Sequence, residues 1–220
     1  MPYRKIIFEN ENLYHIMNRG VNENDIFRNN KDHQRFLESM NFFRFNPSMQ
    51  FSDFVKLPGN LKADRLIKIG QTNKPLVEFL AFSLMPNHYH LIMKQLRENG
   101  IQTFMRIFQN SYARYFNIRH DRRGHLFQSA FKAILIESDE QLVHTSRYIH
   151  LNPVSSSLIG IGELDKYPLT SFPHYLNNNI HDFINIKTVL DYFNGSTDVY
   201  KKFVYDQTEY QIELERTKHE

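Results

Sequence analysis

Apolar patterns along the chain follow the order strand, helix, strand, strand, helix, strand, which predicts an α+β domain with a ferredoxin-like antiparallel sheet and helices on one face. Two observations carry most of this prediction. Two apolar runs flank the turn formers Pro86 and Asn87, as in a pair of antiparallel strands. Apolar residues also recur at three- and four-residue spacing over about 101–117, which indicates an amphipathic helix.

The other elements follow in chain order. Alternating apolar residues that end before a glycine predict a first strand at Leu13 to Asn18. Capping residues then precede a helix from about Lys31 to Arg44. The remaining strands are predicted at Val77 to Leu84, His88 to Lys94 and Phe131 to Ile136.

The stretch from about residue 46 to residue 75 interrupts this order. Pro47, Pro58 and Gly70 separate short apolar pieces, and no single period extends through them. We interpret the stretch as an insertion between core elements, with one short helix near Leu61 to Ile67.

Composition excludes several classes of protein. The chain has 220 residues, of which 41% are apolar, enough for one sizeable core but not for two full domains. Without cysteine it has no disulfide framework and no thiolate metal site, as in a reducing cytoplasm. No apolar signal region follows Met1-Pro2-Tyr3, and no run approaches the ~18 apolar residues of a membrane span, so we expect a cytoplasmic protein with no membrane partner. The net charge of +3 permits a nucleic-acid partner without requiring one.

His88 and His90 stand two residues apart at the start of a predicted strand. Successive strand side chains point to opposite faces, so both imidazoles emerge on one face and can reach a single ion. Two histidines at this spacing can equally be hydrogen-bonded strand residues. The pair alone therefore does not identify a metal site.

A later helix places a tyrosine away from its core face. Ser138 and Gln141 form a capping box, and Pro153 predicts that the helix finishes close to Asn152. Tyr148 and Asn152 share a flank of this helix, one turn apart. The core face is traced by Leu142, Val143, Ser146 and Ile149. Tyr112 and Tyr115, the other candidate tyrosines, are in phase with the core face of their own helix.

A metal bound by two imidazoles needs a further protein ligand. The amide oxygen of Asn152 is acceptable for a hard divalent ion, and Glu137 and Asp139 are carboxylate alternatives. Two histidines favour Zn²⁺ by softness, so these ligands alone do not indicate Mg²⁺ or Mn²⁺.

Taken with their neighbours, these segments resemble the single-tyrosine HUH transposases of insertion sequences and, more narrowly, the REP-associated tyrosine transposases. The resemblance extends over roughly residues 12–175 in the order of that family. The matching segments are Tyr14-His15-Ile16-Met17-Asn18-Arg19-Gly20, Met85-Pro86-Asn87-His88-Tyr89-His90, Gly124-His125-Leu126-Phe127-Gln128, Tyr148-Ile149-His150-Leu151-Asn152-Pro153 and Tyr167-Pro168-Leu169-Thr170-Ser171-Phe172.

The resemblance implies that His88 and His90 bind a divalent metal, Mg²⁺ or Mn²⁺, that Tyr148 is the nucleophile, and that Asn152 completes the metal site. It further implies metal-dependent nicking and strand transfer on single-stranded or hairpin DNA, REP-like or from insertion-sequence ends, through a 5′-phosphotyrosine intermediate. Such a protein would be associated with the nucleoid when bound to DNA.

The chain departs from the family pattern at two places. Ala130 stands where such proteins often carry an arginine, which removes one expected phosphate contact. The tryptophan often found near residue 170 is absent, and Leu169-Thr170-Ser171 stands in its place. The second departure predicts different docking of the segment that follows.

Cationic side chains flank the proposed site in sequence, and those that share its face could neutralise DNA phosphates. For each one, the alternative is a solvated surface cation. The candidates for DNA binding are Arg19, Arg114, Arg122, Arg123 and Lys132.

We divide the chain into a catalytic domain, residues 1–157, and an accessory segment, residues 158–220, which packs on the core as a helical tail. The charged end from Asp206 to Glu220 is expected to fray. The sequence leaves open a monomer or a homodimer that exchanges the tyrosine helix. Two other functions stay open: a nucleic-acid-binding regulator that no longer cuts DNA, and an unrelated metal-dependent hydrolase that uses the two histidines with Glu137.

Overall fold

The computed structural model describes residues 6–176 and 182–217, with side chains as far as residue 213. The strands are β1 (Leu13–Arg19), β2 (Val77–Met85), β3 (His88–Gln95) and β4 (Lys132–Ile136). The helices are α1 (Asn30–Phe43), α2 (Phe51–Phe54), α3 (Gly59–Thr72), α4 (Gly100–Arg119), α5 (Asp139–Ser155), α6 (Phe172–Tyr175), α7 (Lys187–Leu190), α8 (Thr197–Tyr205) and α9 (Thr208–Thr217).

The four strands form one sheet in the order β2-β3-β1-β4, and every neighbouring pair is antiparallel. This is the ferredoxin-like arrangement, so the predicted α+β fold class is confirmed. Tyr89 of β3 packs against Phe36 of α1 and Phe108 of α4, which places both connecting helices on one face of the sheet. His90 points to the opposite face, where its ring meets Tyr148 of α5.

The inserted stretch is more ordered than its sequence pattern predicts. α3 spans Gly59–Thr72 and is twice as long as the short helix expected near Leu61 to Ile67. Pro58 occupies the N-cap position of this helix, where a missing N–H costs nothing. The insertion also has its own apolar cluster, in which α2 and α3 pack on the end of α1. This cluster consists of Phe42, Phe45, Phe51, Phe54 and Ile69.

The start of α5 agrees with prediction, and its end does not. Ser138 caps the helix by accepting a hydrogen bond from the backbone N–H of Gln141. The prediction that the helix finishes close to Asn152 is wrong, because α5 continues to Ser155 with Pro153 inside its last turn. A proline this close to the C-terminal end of a helix removes only one helical hydrogen bond. The N–H of Ser156 bonds to the carbonyl of Asn152 and closes the turn.

The segment near residue 170 docks on the outer edge of β2 without the tryptophan expected there. The N–H of Leu84 donates to the carbonyl of Leu169, and the N–H of Ser171 donates to the carbonyl of Phe82. The Ser171 hydroxyl also accepts a hydrogen bond from the N–H of Phe82 at 2.9 Å. Backbone pairing with β2 therefore attaches this part of the chain.

The charged end of the chain forms α9, so the expectation that it frays from Asp206 onward is wrong as far as Thr217. Gln211 of α9 is buried, and its amide donates to the backbone carbonyl of Tyr148 on α5 at 3.0 Å. Residues 218–220, which were also expected to fray, lie outside the described residues. So do Met1 to Lys5, where the sequence predicts no signal region. In the parts of the chain that are described, no helix combines the length and apolarity of a membrane span.

A fully buried histidine joins α5 to the accessory tail. The Nε2 atom of His150 lies 2.8 Å from Ser171 Oγ, and its Nδ1 atom lies 2.8 Å from the hydroxyl of Tyr200. That hydroxyl also donates to Ser146 Oγ at 2.9 Å. Burial lowers the pKa of His150 to about 3, so the imidazole is neutral and its two nitrogens act as one donor and one acceptor.

We predict that Tyr200→Phe lowers the free energy of unfolding by about 1–3 kcal/mol, because it leaves polar atoms of Ser146 and His150 buried without their partner. Tyr192→Phe is the matched control, since its hydroxyl bonds to Asp139 at an exposed position. Tyr192→Phe should lower the free energy of unfolding by no more than about 0.5 kcal/mol. Chemical denaturation measures both, and equal losses would contradict the stabilising role of the buried network.

Candidate active site

The strand histidines lie at the turn end of β3, on the face opposite to α1 and α4. Their ring centroids are 5.1 Å apart and the rings are nearly perpendicular. Arg19 and Met17 of β1 pair directly with His88 and His90, and Lys132 of β4 pairs with Met17, so these side chains share one face. Together they line a cavity of about 180 Å³.

Each histidine has a protein partner at its Nδ1 atom. His88 Nδ1 lies 2.6 Å from Oδ1 of Asn87, and because an amide oxygen only accepts, this nitrogen carries the proton. His90 Nδ1 lies 2.9 Å from Nε2 of His15. A cation held by these two rings would therefore be held through their Nε2 atoms.

His15 and Asn87 are site residues that the sequence analysis quoted only as parts of motifs. His15 is buried on β1, and desolvation lowers the pKa of its imidazole to about 4. The signal that could have found it is the alternation along β1, which puts residues 15, 17 and 19 on one face. Asn87 lay within the predicted turn, next to the first histidine.

Tyr148 extends from α5 toward the same face of the sheet. Its ring centroid lies 5.7 Å from that of His90 and 6.1 Å from that of His15, in both cases edge to face. The structure thus brings together the tyrosine and the histidine pair, which are separated by more than fifty residues in the chain. The rival tyrosines are used for packing: the Tyr112 hydroxyl donates to the carbonyl of Ile26, and that of Tyr115 donates to Asp32.

Asn152 lies one turn beyond Tyr148 on α5 and is buried. Its Oδ1 atom accepts a long hydrogen bond, 3.4 Å, from Gln211 of α9, and its Nδ2 atom is buried without a hydrogen-bond partner in the protein. A carbonyl oxygen has two lone pairs, so this bond leaves capacity for a second partner. Gln211 was missed because it lies in the charged tail, where no pattern indicates a contact with the site.

The donor set fits a divalent cation only if an amide takes part. Two neighbouring imidazoles suit such an ion, and the Oδ1 atom of Asn152, which accepts only a long hydrogen bond from Gln211, keeps a lone pair for it. Within residues 6–176 and 182–217, no three His, Cys, Asp or Glu side chains cluster so as to hold a metal. Glu137 follows Ile136, which pairs with Leu13 at the opposite end of β1 from Arg19 and His88, so the hydrolase alternative lacks its geometry.

The predicted DNA-binding residues fall into three groups. Arg19 and Lys132 line the cavity, and Arg19 also pairs with Glu23 at 2.7 Å. Arg122 instead supports its own loop, where its guanidinium donates to Asn117 Oδ1 at 3.1 Å and to the carbonyl of His125 at 2.7 Å. Arg114 and Arg123 are exposed and are not among the described residues that line the cavity.

A larger groove of about 1320 Å³ continues from the cavity around β4 to the polar side of α4. Gln128 and Lys132 border both spaces, and Arg106 and Gln109 line the groove from α4. Ala130, which replaces the arginine of the family pattern, is exposed on this groove. The groove gives an extended polymer a path past the cavity.

Comparisons with known proteins show that the chain is similar to transposases. Residues 63–152 match the family model described as transposase, IS200-like, and this segment includes the histidine pair, Tyr148 and Asn152. A solved structure of a REP-associated tyrosine transposase bound to a REP hairpin has a similar fold, with a TM-score of 0.51 and 13% identity. The alignment covers 85% of this chain and 94% of that chain. No curated protein matches by sequence.

These findings confirm the resemblance that the motifs predict. Residues 63–152 are similar to the IS200-like transposases, and the fold of the chain is similar to that of a REP-associated tyrosine transposase.

We predict that Arg122→Ala destabilises the fold and that Arg123→Ala, its control, does not. Arg122→Ala should lower the free energy of unfolding by about 1 kcal/mol and speed amide exchange in the loop, because its guanidinium ties that loop together. Arg123→Ala, at an exposed position, should change stability by less than about 0.5 kcal/mol. Hydrogen exchange and denaturation measure both, and slower or unchanged exchange in Arg122→Ala would contradict this role.

Proposed function

We propose that the chain is a metal-dependent enzyme that nicks single-stranded DNA and transfers the strand through a 5′-phosphotyrosine intermediate. The observation that carries the proposal is the position of Tyr148, whose ring lies against His90, 5.7 Å away, within a segment of the IS200-like transposase family. The presence of all four site residues favours an active enzyme over a regulator that has lost its chemistry.

Tyr148 is the proposed nucleophile. Its Oη attacks the scissile phosphorus in line with the 3′ oxygen, an O–P bond to tyrosine forms, and the bond from phosphorus to the 3′ oxygen breaks. The phenol loses its proton and the leaving 3′ oxygen gains one, so the products are a 5′-phosphotyrosine and a free 3′-OH. The new ester is still a phosphodiester, so a second 3′-OH can reverse the step and join strands.

His88, His90 and Asn152 are the proposed holders of Mg²⁺ or Mn²⁺. When bound, such a cation would polarise a non-bridging phosphate oxygen and stabilise the charge that develops on it. The imidazoles fit this role because their Nδ1 atoms are occupied by Asn87 and His15, which fixes the orientation of both rings. Asn152 fits it through its buried Oδ1 atom, which accepts one long hydrogen bond and has a second lone pair.

Hairpin-forming DNA is the proposed substrate. The solved structure with the similar fold is bound to a REP hairpin, which supports DNA of this kind here. Arg19 and Lys132 would contact phosphates beside the histidines, and the groove along β4 would hold the strand that continues from them. Roles for Arg114 and Arg123 on DNA, a homodimer, association with the nucleoid and the domain boundary at residue 157 stay predictions.

We predict that wild-type protein forms a denaturation-resistant adduct with a labelled single-stranded hairpin taken from around its own gene, in Mn²⁺ or Mg²⁺ and not in chelator. Tyr148→Phe should abolish the adduct, because phenylalanine has no oxygen to form the phosphate ester. Tyr115→Phe is the matched control and should keep it, since that hydroxyl bonds to Asp32 in the helical layer. Gel electrophoresis after denaturation separates the adduct.

Two outcomes would overturn this proposal in different ways. An adduct that persists in Tyr148→Phe would assign the nucleophile to another residue. Salt-sensitive DNA binding without any adduct, at Mn²⁺ concentrations where the metal is shown to be bound, would favour the regulator.

We predict that Lys132→Ala weakens binding of single-stranded DNA and lowers the slope of log K against log salt by about 0.7, because one phosphate contact is lost. Lys68→Ala is the control, since Lys68 is exposed on the inserted helix α3 and not on the cavity. Fluorescence anisotropy at several salt concentrations measures both. An unchanged slope in Lys132→Ala, or an equal change in Lys68→Ala, would remove Lys132 from the proposed DNA surface.

A further inference from the structure

We propose that His15 is a positioning residue that sets the tautomer and ring orientation of His90, so that His90 presents its Nε2 atom to a divalent cation. This inference rests on the proposed metal site and gives His15, described above as a contact of His90, control over the tautomer of that ring. His15 would orient His90 as Asn87 orients His88, through a hydrogen bond at the Nδ1 atom.

The contact is specific in geometry. His15 Nε2 and His90 Nδ1 are 2.9 Å apart, an ordinary hydrogen-bond length, and the two rings are inclined by only 30°. Only 7% of the His15 surface is exposed, so water has little access to its side of the bond. The ring of Tyr148 lies beside both histidines, with its centroid 6.1 Å from that of His15 and 5.7 Å from that of His90.

The sheet holds this pair in register. His15 pairs directly with Ile92 of β3, two residues along from His90, and with Ile134 of β4 on its other side. Diagonal neighbours across antiparallel strands are within reach of long side chains. Because β1 is hydrogen-bonded on both edges, the backbone beneath His15 has little freedom to move away from His90.

The number of protons in this contact determines which histidine donates the hydrogen bond. A bond between two imidazole nitrogens contains one proton. If His90 binds a cation through Nε2, its own proton must be on Nδ1, so His90 donates and His15 Nε2 accepts. An acceptor fixed at this place therefore stabilises the tautomer that binds metal through Nε2, as acceptors behind metal-binding histidines generally do.

Asn87 and His15, the hydrogen-bond partners of the two strand histidines, differ in one chemical respect. The amide oxygen of Asn87 can only accept, so the tautomer of His88 is determined locally. An imidazole can accept or donate, so the tautomer of His90 is coupled to that of His15. Replacement of His15 should consequently affect the metal site more than replacement of an apolar neighbour of the same size.

The test compares His15→Leu, which cannot accept a hydrogen bond, with His15→Gln, whose side-chain oxygen can take the place of Nε2. Isothermal titration with Mn²⁺ alone should show about 10- to 100-fold weaker binding for His15→Leu than for wild type. His15→Gln should recover most of the affinity. Tyr115→Phe is the matched control and should bind Mn²⁺ as wild type does, because its hydroxyl bonds to Asp32 in the helical layer.

A second readout does not need the metal. The ¹⁵N shifts of His90 should report a proton on Nδ1 in wild type and in His15→Gln, and a mixture of tautomers in His15→Leu. His15→Asn, which stays polar but is too short to reach His90, should behave like His15→Leu and replaces it if the leucine variant does not fold.

The outcomes separate the two proposals. Equal Mn²⁺ affinity in wild type and His15→Leu, with affinity lost in His90→Ala, would overturn the role of His15 and leave the metal site intact. Wild type that binds no Mn²⁺, or binds it as well after His90→Ala, would overturn the metal site. The His90 tautomer in wild type and His15→Leu then decides whether His15 positions this ring.

Discussion

Antiparallel pairing of β1 with β3 is the constraint on which the candidate site depends. In this register the side chains of Met17 and His90 point to one face, and so do those of Arg19 and His88. A shift of one residue would turn every one of these side chains to the other face. The apolar side chains that alternate with them, such as Tyr89, are buried under α1 and α4. Core packing on one face thus fixes the polar constellation on the other.

The helix that carries Tyr148 is held from two directions. On one side His150 joins it to Ser171 and Tyr200, which belong to the segment docked on β2 and to α8. On the other side Gln211 of α9 bonds to the carbonyl of Tyr148. The backbone on both sides of the tyrosine is therefore fixed, while its ring remains at the partly exposed edge of the core. Most of the accessory tail can be understood as support for this one helix.

The periodic parts of the fold could be predicted from sequence. The hairpin and α4 were predictable because alternation and 3.6-residue spacing are local signals. The bond between His15 and His90 was not, since it joins residues 75 positions apart and depends on strand register. The length of α3 and the end of α5 were mispredicted because Pro58 and Pro153 were interpreted as interruptions. Pro58 stands at the N-cap, where a missing N–H costs nothing, and Pro153 stands in the last turn, where only one hydrogen bond is lost. No local sequence pattern predicts the contact of Gln211 with α5.

The charges around the cavity suit an anionic ligand that arrives from solvent. His15 is neutral near pH 7 because burial lowers its pKa. The arginine and lysine side chains that line the cavity are Arg19 and Lys132, and both are positively charged. Arg19 is paired with Glu23, but both side chains are substantially exposed, at 45% and 69%. An exposed ion pair of this kind contributes only about 0–1 kcal/mol. A phosphate that contacted Arg19 would therefore displace Glu23 at little cost.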